Sequence, residues 1–272
     1  MFAKMKVVLF SVLILIGSVL LILHFHERQL DGEANQRSEA APSAQSSHKE
    51  KAKLAGRPEK KAAVLKKNPS APLPEEKKLT APFVSQKPEL PNGCEVTSLT
   101  MLLNSANVKV TKLRLAAQLK KVPFQSGEYM GNPHEGFVGN MYHGDRNHPG
   151  YAVYHEPVAS LARLYLGRRT IDLSGKPWER VEGQIASNHP VWVITSINFQ
   201  PIPEGNWRPW KTRQGTLRIS FMEHSVLVTG YDQKYVYFND PMASAPGSKA
   251  DKHSFETAWK QFGNQAISYA KK

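Results

Sequence analysis

The most reactive side chain of this sequence belongs to its single cysteine, Cys94. It directly follows the turn residues Pro91-Asn92-Gly93, and apolar residues such as Val96 and Leu99 then recur at helical spacing. A helix is therefore predicted to begin at or just before Cys94. Unpaired N–H groups at a helix N-terminus favour an anion and lower thiol pKa values. The pattern favours a nucleophile over the alternative, a small buried core residue.

A nucleophilic thiol needs a general base, and two predicted strands supply a candidate. The first strand opens with His224 and ends at Tyr231, and the second runs from Tyr235 to Asp240. If residues 232–234 are the loop, Tyr231 pairs with Tyr235.

In this register Val226 pairs with Asp240, so that His224 and Asp240 project from the same face of the sheet. As diagonal neighbours they lie within side-chain hydrogen-bond reach. Asp240 would fix the imidazole tautomer and leave the other ring nitrogen for Cys94. A loop of even length would instead place the two side chains on opposite faces.

The candidate for stabilising an oxyanion is Gln86, eight residues before Cys94. Its side-chain amide and the Cys94 backbone N–H would supply two donors to the charge that develops during acyl transfer. The alternative is a solvated glutamine in a proline-rich segment.

These residues resemble the bacteriocin-processing-like cysteine peptidases, a papain-like family related to the double-glycine leader peptidases. The resembling segments are 86–99 with the cysteine, 131–139, 223–232 with the histidine, Asn239-Asp240-Pro241, and 255–266. The resemblance implies an α+β fold in which the helix with the cysteine packs on an antiparallel sheet with the histidine and aspartate. It also implies thiol peptidase chemistry. The sequence shows no ATP-binding cassette, so we do not expect cleavage coupled to leader-peptide export.

Two further segments carry polar or aromatic residues with weaker signals. Four histidines and one aspartate cluster between positions 134 and 155, namely His134, His143, Asp145, His148 and His155. They match no helical metal-ligand spacing and lie among Gly, Asn and Pro, so a loop over the cleft is predicted, with no metal or other cofactor. A second loop is predicted over 198–215, whose Trp207 and Trp210 either contact a substrate or fold onto the core.

The N-terminal segment predicts a membrane anchor, residues 1–26. Val7–Leu23 has no charged residue and follows Lys4 and Lys6, which predicts a single span with a cytoplasmic N-terminus. No small-x-small cleavage site follows, which favours an uncleaved anchor over a signal peptide.

Residues 27–79 are rich in Ala, Ser, Pro, Lys and Glu and predict a disordered basic linker, followed by a peptidase-like domain over 80–272. The chain carries a formal charge of +13, and no nucleic-acid motif accompanies it. The basic charge indicates either that the linker contacts anionic lipid headgroups or cell-wall polymers, or that it only makes the surface basic and soluble. A single cysteine also excludes an internal disulfide.

The expected function is that of a membrane-anchored, extracellular thiol peptidase of a bacterial envelope, acting on a peptide or protein substrate. Three alternatives stay open. The same thiol chemistry could cleave peptidoglycan stem peptides or transfer an amide, or the domain could be an inert envelope-binding module.

Overall fold

Alternating apolar residues build the central sheet of this protein, which a computed structural model describes over residues 72–271. In the strand Val191–Ser196 (β7), Trp192 and Ile194 pack into one hydrophobic cluster, whereas Val191 and Val193 pack into another. Successive side chains of a strand point to opposite faces, so both faces of the sheet are apolar and both are covered. Each fully buried large apolar side chain contributes about 1.5–3 kcal/mol relative to exposure.

The central sheet has seven strands, and its pairings are antiparallel. The order is β12-β11-β10-β7-β13-β6, and β1 pairs with the end of β10. Its strands are β1 (Lys77–Lys78), β6 (Thr170–Asp172), β7 (Val191–Ser196), β10 (Glu223–Tyr231), β11 (Tyr235–Asn239), β12 (Ser248–Asp251) and β13 (Ala266–Tyr269).

Helices cover both faces of this sheet. The helices are α1 (Cys94–Ser105), α2 (Lys112–Gln118), α3 (His155–Leu166), α4 (Glu179–Ala186) and α5 (Lys252–Gln261), with 3₁₀ turns at Gly167–Arg169 and Glu204–Asn206. Apolar residues of α1 and α3 share one core with Trp192 and Leu227, and those of α4 and α5 share the other with Val193 and Val226. The predicted α+β fold, with the helix of Cys94 on an antiparallel sheet, is confirmed.

Three small sheets lie outside the central one. Parallel strands β2 (Lys121–Val122) and β5 (Phe137–Val138) form the first, and antiparallel strands β3 (Gln125–Ser126) and β4 (Tyr129–Met130) form the second. The third is the hairpin of β8 (Arg208–Thr212) and β9 (Gly215–Ile219).

That hairpin corrects the loop predicted over 198–215. Its strand β8 carries Trp210, which is buried and donates a hydrogen bond from Nε1 to the carbonyl of Gly131 at 2.7 Å. Trp207 packs against the core of α1 and α3. Of the two alternatives for these rings, packing onto the core is therefore correct.

The predictions for the N-terminal part of the sequence fall only partly on residues 72–271. Lys77 and Lys78 pair with Tyr231 and Gly230, and the Tyr231 hydroxyl donates to the Pro74 carbonyl at 3.0 Å. The last residues of the predicted 27–79 linker thus pair with the central sheet. Among the described residues, no helix is both long and apolar enough to cross a membrane. The predicted anchor Val7–Leu23 lies outside them.

Candidate active site

Helix α1 begins at Cys94, as the sequence predicts, and Gly93 precedes it as the N-cap residue. A Cβ at position 93 would lie 2.6 Å from the Cβ of Leu90, so only glycine fits this turn without displacement. Because Cys94 opens the helix, its backbone N–H has no acceptor within the helix. The turn therefore presents both the thiol and an N–H donor at the same point.

His224 and Asp240 are hydrogen-bonded, as the proposed register required. Nε2–H of His224 donates to Oδ1 of Asp240 at 2.8 Å, because an ionised carboxylate only accepts. Burial raises the pKa of Asp240, but the bond to His224 and the N–H of Met242 outweigh it and lower the pKa. The other ring nitrogen, Nδ1, stays available as a proton acceptor in this tautomer.

The predicted register of β10 and β11 is correct at the site and wrong near the turn that joins the two strands. Leu227 pairs with Asn239 and Val228 with Phe238, which extends to the predicted pairing at Asp240. Beyond an irregularity between Val228 and Gly230, however, Tyr231 pairs with Val236 and not with Tyr235. A β-bulge adds one residue to one strand, and nothing in the local sequence except Gly230 signals it.

The thiol environment differs from the sequence-based expectation. The Cys94 thiol is 8% exposed and donates to Oε2 of Glu95 at 3.3 Å. Burial raises its pKa well above the ordinary value, and the carboxyls of Glu95 and Glu223 raise it further, while the Ser225 N–H acts in the opposite direction. The expected lowering of the thiol pKa by the helix N-terminus is therefore wrong for this state, because burial and two carboxyls outweigh it.

Two buried carboxyls, which the sequence reasoning missed, lie beside the thiol. Oε1 of Glu95 accepts the backbone N–H of Val153 at 2.7 Å, and burial raises the pKa of Glu95 to about 7. Burial and the neighbouring Glu95 raise the pKa of Glu223 well above its ordinary value. The sequence feature that could have indicated these two carboxyls is their adjacency to the site, because Glu95 directly follows Cys94 and Glu223 directly precedes His224.

Strand alternation separates the site into two groups. Along β10, Leu227 packs in the core of α1 and Val226 in the core of α5. Glu223 therefore faces α1, whereas His224 faces the other side, where its ring lies 6.1 Å from that of Phe199. The contacts therefore divide the site into a group of Cys94, Glu95 and Glu223 and a pair of His224 and Asp240. The two parts meet at the start of β10, where Glu223 directly precedes His224.

Gln86 lies at the same end of the sheet. Its backbone N–H donates to the carbonyl of Pro241 at 2.8 Å, directly after Asp240. Its side chain is buried and donates from Nε2 to the carbonyl of Pro91 at 2.6 Å. Within the part of the chain that the structure describes, the second N–H of this amide has no assigned acceptor. The alternative of a solvated glutamine is wrong, because the side chain is buried.

A lysine that the sequence reasoning also missed holds this segment in place. Lys112, from α2, donates to the carbonyls of Ser85 at 2.6 Å and Gln86 at 3.0 Å, and its ammonium lies 2.6 Å from Glu89. A lysine in a short amphipathic helix gives no sequence signal of such a long-range role.

The predicted histidine cluster separates into two pairs, His134 with His155 at Glu156 and His143 with His148. His134 bonds Glu156 on α3, and His155 opens α3 and bonds Asp172. His143 and His148 lie in the exposed segment after β5, near the cysteine turn, because Asn92 donates to the His143 carbonyl at 2.8 Å. Within residues 72–271, the grouping with metal-ligand geometry is instead Cys94, Glu95 and Glu223.

Known proteins resemble this chain in sequence and in fold. The model of the Peptidase_C39 like family matches residues 78–267. The uncharacterized protein YvpB of Bacillus subtilis is 50% identical over 181 residues, which is 66% of this chain and 70% of that protein. A crystal structure from Bacillus anthracis, provisionally described as a C39-like peptidase, superposes with a TM-score of 0.71 at 43% identity. The match covers 73% of this chain and 99% of that one.

Proposed function

This chain belongs to the Peptidase_C39 like family, and we propose that it is an extracytoplasmic cysteine peptidase with Cys94 as its nucleophile. The observation that carries the proposal is the hydrogen bond of 2.8 Å between His224 and Asp240. It lies at the end of the sheet against which the first turn of α1 packs.

His224 acts as the general base. Because burial raises the pKa of Cys94, the thiol is protonated at rest, and its proton must leave as the sulfur attacks. Nδ1 of His224 accepts that proton, and Asp240 stabilises the imidazolium through Nε2–H. In this structure the sulfur bonds Glu95 while His224 faces the other side of β10, so both side chains must turn towards the start of β10 before attack.

The tetrahedral intermediate is stabilised by two donors. The Cys94 N–H has no helical acceptor, and Nε2 of Gln86 retains one N–H beyond its bond to Pro91. His224 then returns the proton to the leaving amine, and water releases the acyl group from the sulfur.

Exposed apolar side chains near the site support a peptide or protein substrate. Phe221 precedes Glu223 by two residues, Met242 follows Asp240 by two, and Ile197 pairs its N–H with the Met222 carbonyl. Exposed apolar groups that cluster at one site commonly mark a binding surface. Apolar residues flanking the scissile bond are therefore favoured.

The proposed location is the outer face of the cell membrane. Val7–Leu23 would anchor the chain with a cytoplasmic N-terminus, and basic residues of the linker would rest on anionic lipid or cell-wall polymer. Protease accessibility in intact cells, compared with permeabilised cells, tests this orientation. Degradation only after permeabilisation would contradict it.

Labelling by a peptide-like electrophile tests the chemistry. Parent protein should be labelled at Cys94, whereas Cys94→Ala should not, and His224→Ala should react far more slowly because no base removes the thiol proton. Digests of envelope proteins and of purified cell wall, with and without an added amine, then separate protein cleavage, stem-peptide cleavage and amide transfer. Equal product formation by parent and Cys94→Ala, or none by either, would overturn the peptidase proposal.

A further inference from the structure

The group of Cys94, Glu95 and Glu223 offers one sulfur and two carboxylate oxygens that all lie within 4.8 Å of one another. The bond from Cys94 to Glu95 already brings sulfur and oxygen to 3.3 Å. Tetrahedral zinc with a thiolate and a carboxylate holds these atoms ~3.6 Å apart, since Zn–S is about 2.3 Å and Zn–O about 2.1 Å. The three ligand atoms therefore need only small side-chain rotations to enclose one ion.

A second observation points to a missing partner at this place. Among residues 72–271, Oε1 of Glu223 finds no hydrogen-bond partner although it is buried, and the residue is about nine-tenths buried. Buried polar atoms in native proteins are nearly always paired, so an unpaired one calls for an explanation such as a bound ion or a catalytic role. Burying two carboxyls side by side is also costly unless a cation or proton neutralises them.

We propose that Cys94, Glu95 and Glu223 form a binding site for Zn²⁺, with water in the fourth position. A set of one thiolate and two carboxylates suits borderline zinc better than the hard cations Mg²⁺ and Ca²⁺, which take oxygen ligands alone. The sulfur and carboxylates bind only when deprotonated, so ion entry releases the thiol proton and any carboxyl proton to bulk water. No ligand changes its oxidation state.

The consequence for activity rests on the proposed function. A sulfur bonded to zinc cannot attack a carbonyl, and rotation towards His224 is blocked while the ion is bound. Zinc would thus hold the peptidase in a latent state, which a chelator or a metal-poor environment reverses.

Direct binding to the purified full-length protein tests the site without reference to activity. Zn²⁺ should bind with a stoichiometry of one by titration calorimetry, and Cd²⁺ should produce a thiolate charge-transfer absorbance. Glu223→Gln should weaken Zn²⁺ binding by more than about tenfold, the smallest loss that even outer-shell changes cause. Cys94→Ser should abolish the absorbance, and Glu256→Gln on α5 is the matched control that should bind as the parent does.

His224→Ala distinguishes this site from chelation by the thiol and the imidazole. Because His224 faces the opposite side of β10 and bonds Asp240, the variant should retain Zn²⁺ affinity. Loss of binding in His224→Ala, or unchanged binding in Glu223→Gln with parent-like circular dichroism, would overturn the proposed site. If the parent binds Zn²⁺ saturably but shows no peptidase activity after the zinc is removed by a chelator, the proposed function is contradicted and the zinc site is not.

Discussion

Ser98 donates a hydrogen bond from its hydroxyl to the backbone carbonyl of Ser225 at 3.0 Å. The two residues are 127 positions apart in sequence, yet each lies next to the proposed chemistry. Ser98 is one turn after Cys94 in α1, and Ser225 directly follows His224 in β10. Their bond therefore fixes how far the start of the helix lies from the start of the strand.

Replacing Ser98 by Ala should lower the free energy of unfolding by about 1 kcal/mol, the usual net value of a buried hydrogen bond. It should also slow Cys94 labelling, because helix and strand lose their fixed spacing. Urea denaturation measures the first effect. Ser160→Ala, which removes an exposed intrahelical bond to Glu156, is the control and should stay within about 0.5 kcal/mol of the parent. Equal labelling rates in both variants would contradict the positioning role.

Asp240→Asn should reduce kcat by about 10²–10⁴-fold, the range of a lost general base. The amide can hydrogen-bond to His224 as a donor, but it then stabilises the tautomer with the proton on Nδ1, which cannot accept the thiol proton. Initial rates with a chromogenic peptide measure the change. Asp232→Asn at the opposite end of β11 leaves the imidazole untouched and serves as the control. A loss confined to KM would speak against an orienting role.

Gln86→Ala should reduce kcat by about 10²–10³-fold, the usual effect of removing one oxyanion donor, with little change in KM. The oxyanion forms only in the transition state, so ground-state binding of the peptide is barely affected. Gln125→Ala removes an exposed glutamine that bonds the Gly127 carbonyl and should match the parent. If Gln86→Ala changed only thermal stability, the side chain would serve the fold alone.

Much of the site was predictable because its residues carry local signals. The turn before Cys94 and the strand pattern around His224 and Asp240 sufficed for the helix start and for the pairing register at the site. The two carboxyls were not predictable, because the raised pKa values of Glu95 and Glu223 arise from burial, and burial is decided by tertiary packing.

The hairpin of β8 and β9 was missed for a related reason. Its sequence resembles a solvated loop because it carries four basic residues, Arg208, Lys211, Arg213 and Arg218. Only alternate positions of its strands face the core, so few apolar residues are needed there. Trp210 anchors β8 through its bond to the Gly131 carbonyl. Long-range contacts of this kind leave no periodic signal within five-residue strands.

Gly93→Ala should destabilise the protein and slow Cys94 labelling together. The new Cβ would lie 2.6 Å from Cβ of Leu90, so the turn must shift, and a shift at the N-cap displaces the first residue of α1. Overpacking of this kind costs about 1–3 kcal/mol. Thermal unfolding and labelling rates measure the two effects. Gly183→Ala, whose Cβ would meet no atom within 4 Å, is the matched control and should retain parent labelling.

His155 should make the stability of the domain fall at alkaline pH. Burial lowers the pKa of His155, but hydrogen bonds to Asp172 and Glu156 outweigh it and raise the pKa to about 9.

Since the folded pKa exceeds the unfolded value of about 6.5, protonated His155 stabilises the fold fully below pH 6.5. This contribution is lost as pH rises towards 9, because the folded state then binds more protons than the unfolded state. Urea denaturation of the parent between pH 6 and 10 should show that decline, and His155→Gln should flatten it. His253→Gln, at an exposed position of α5, should keep the parent slope, and a parent-like slope in His155→Gln would refute the assignment.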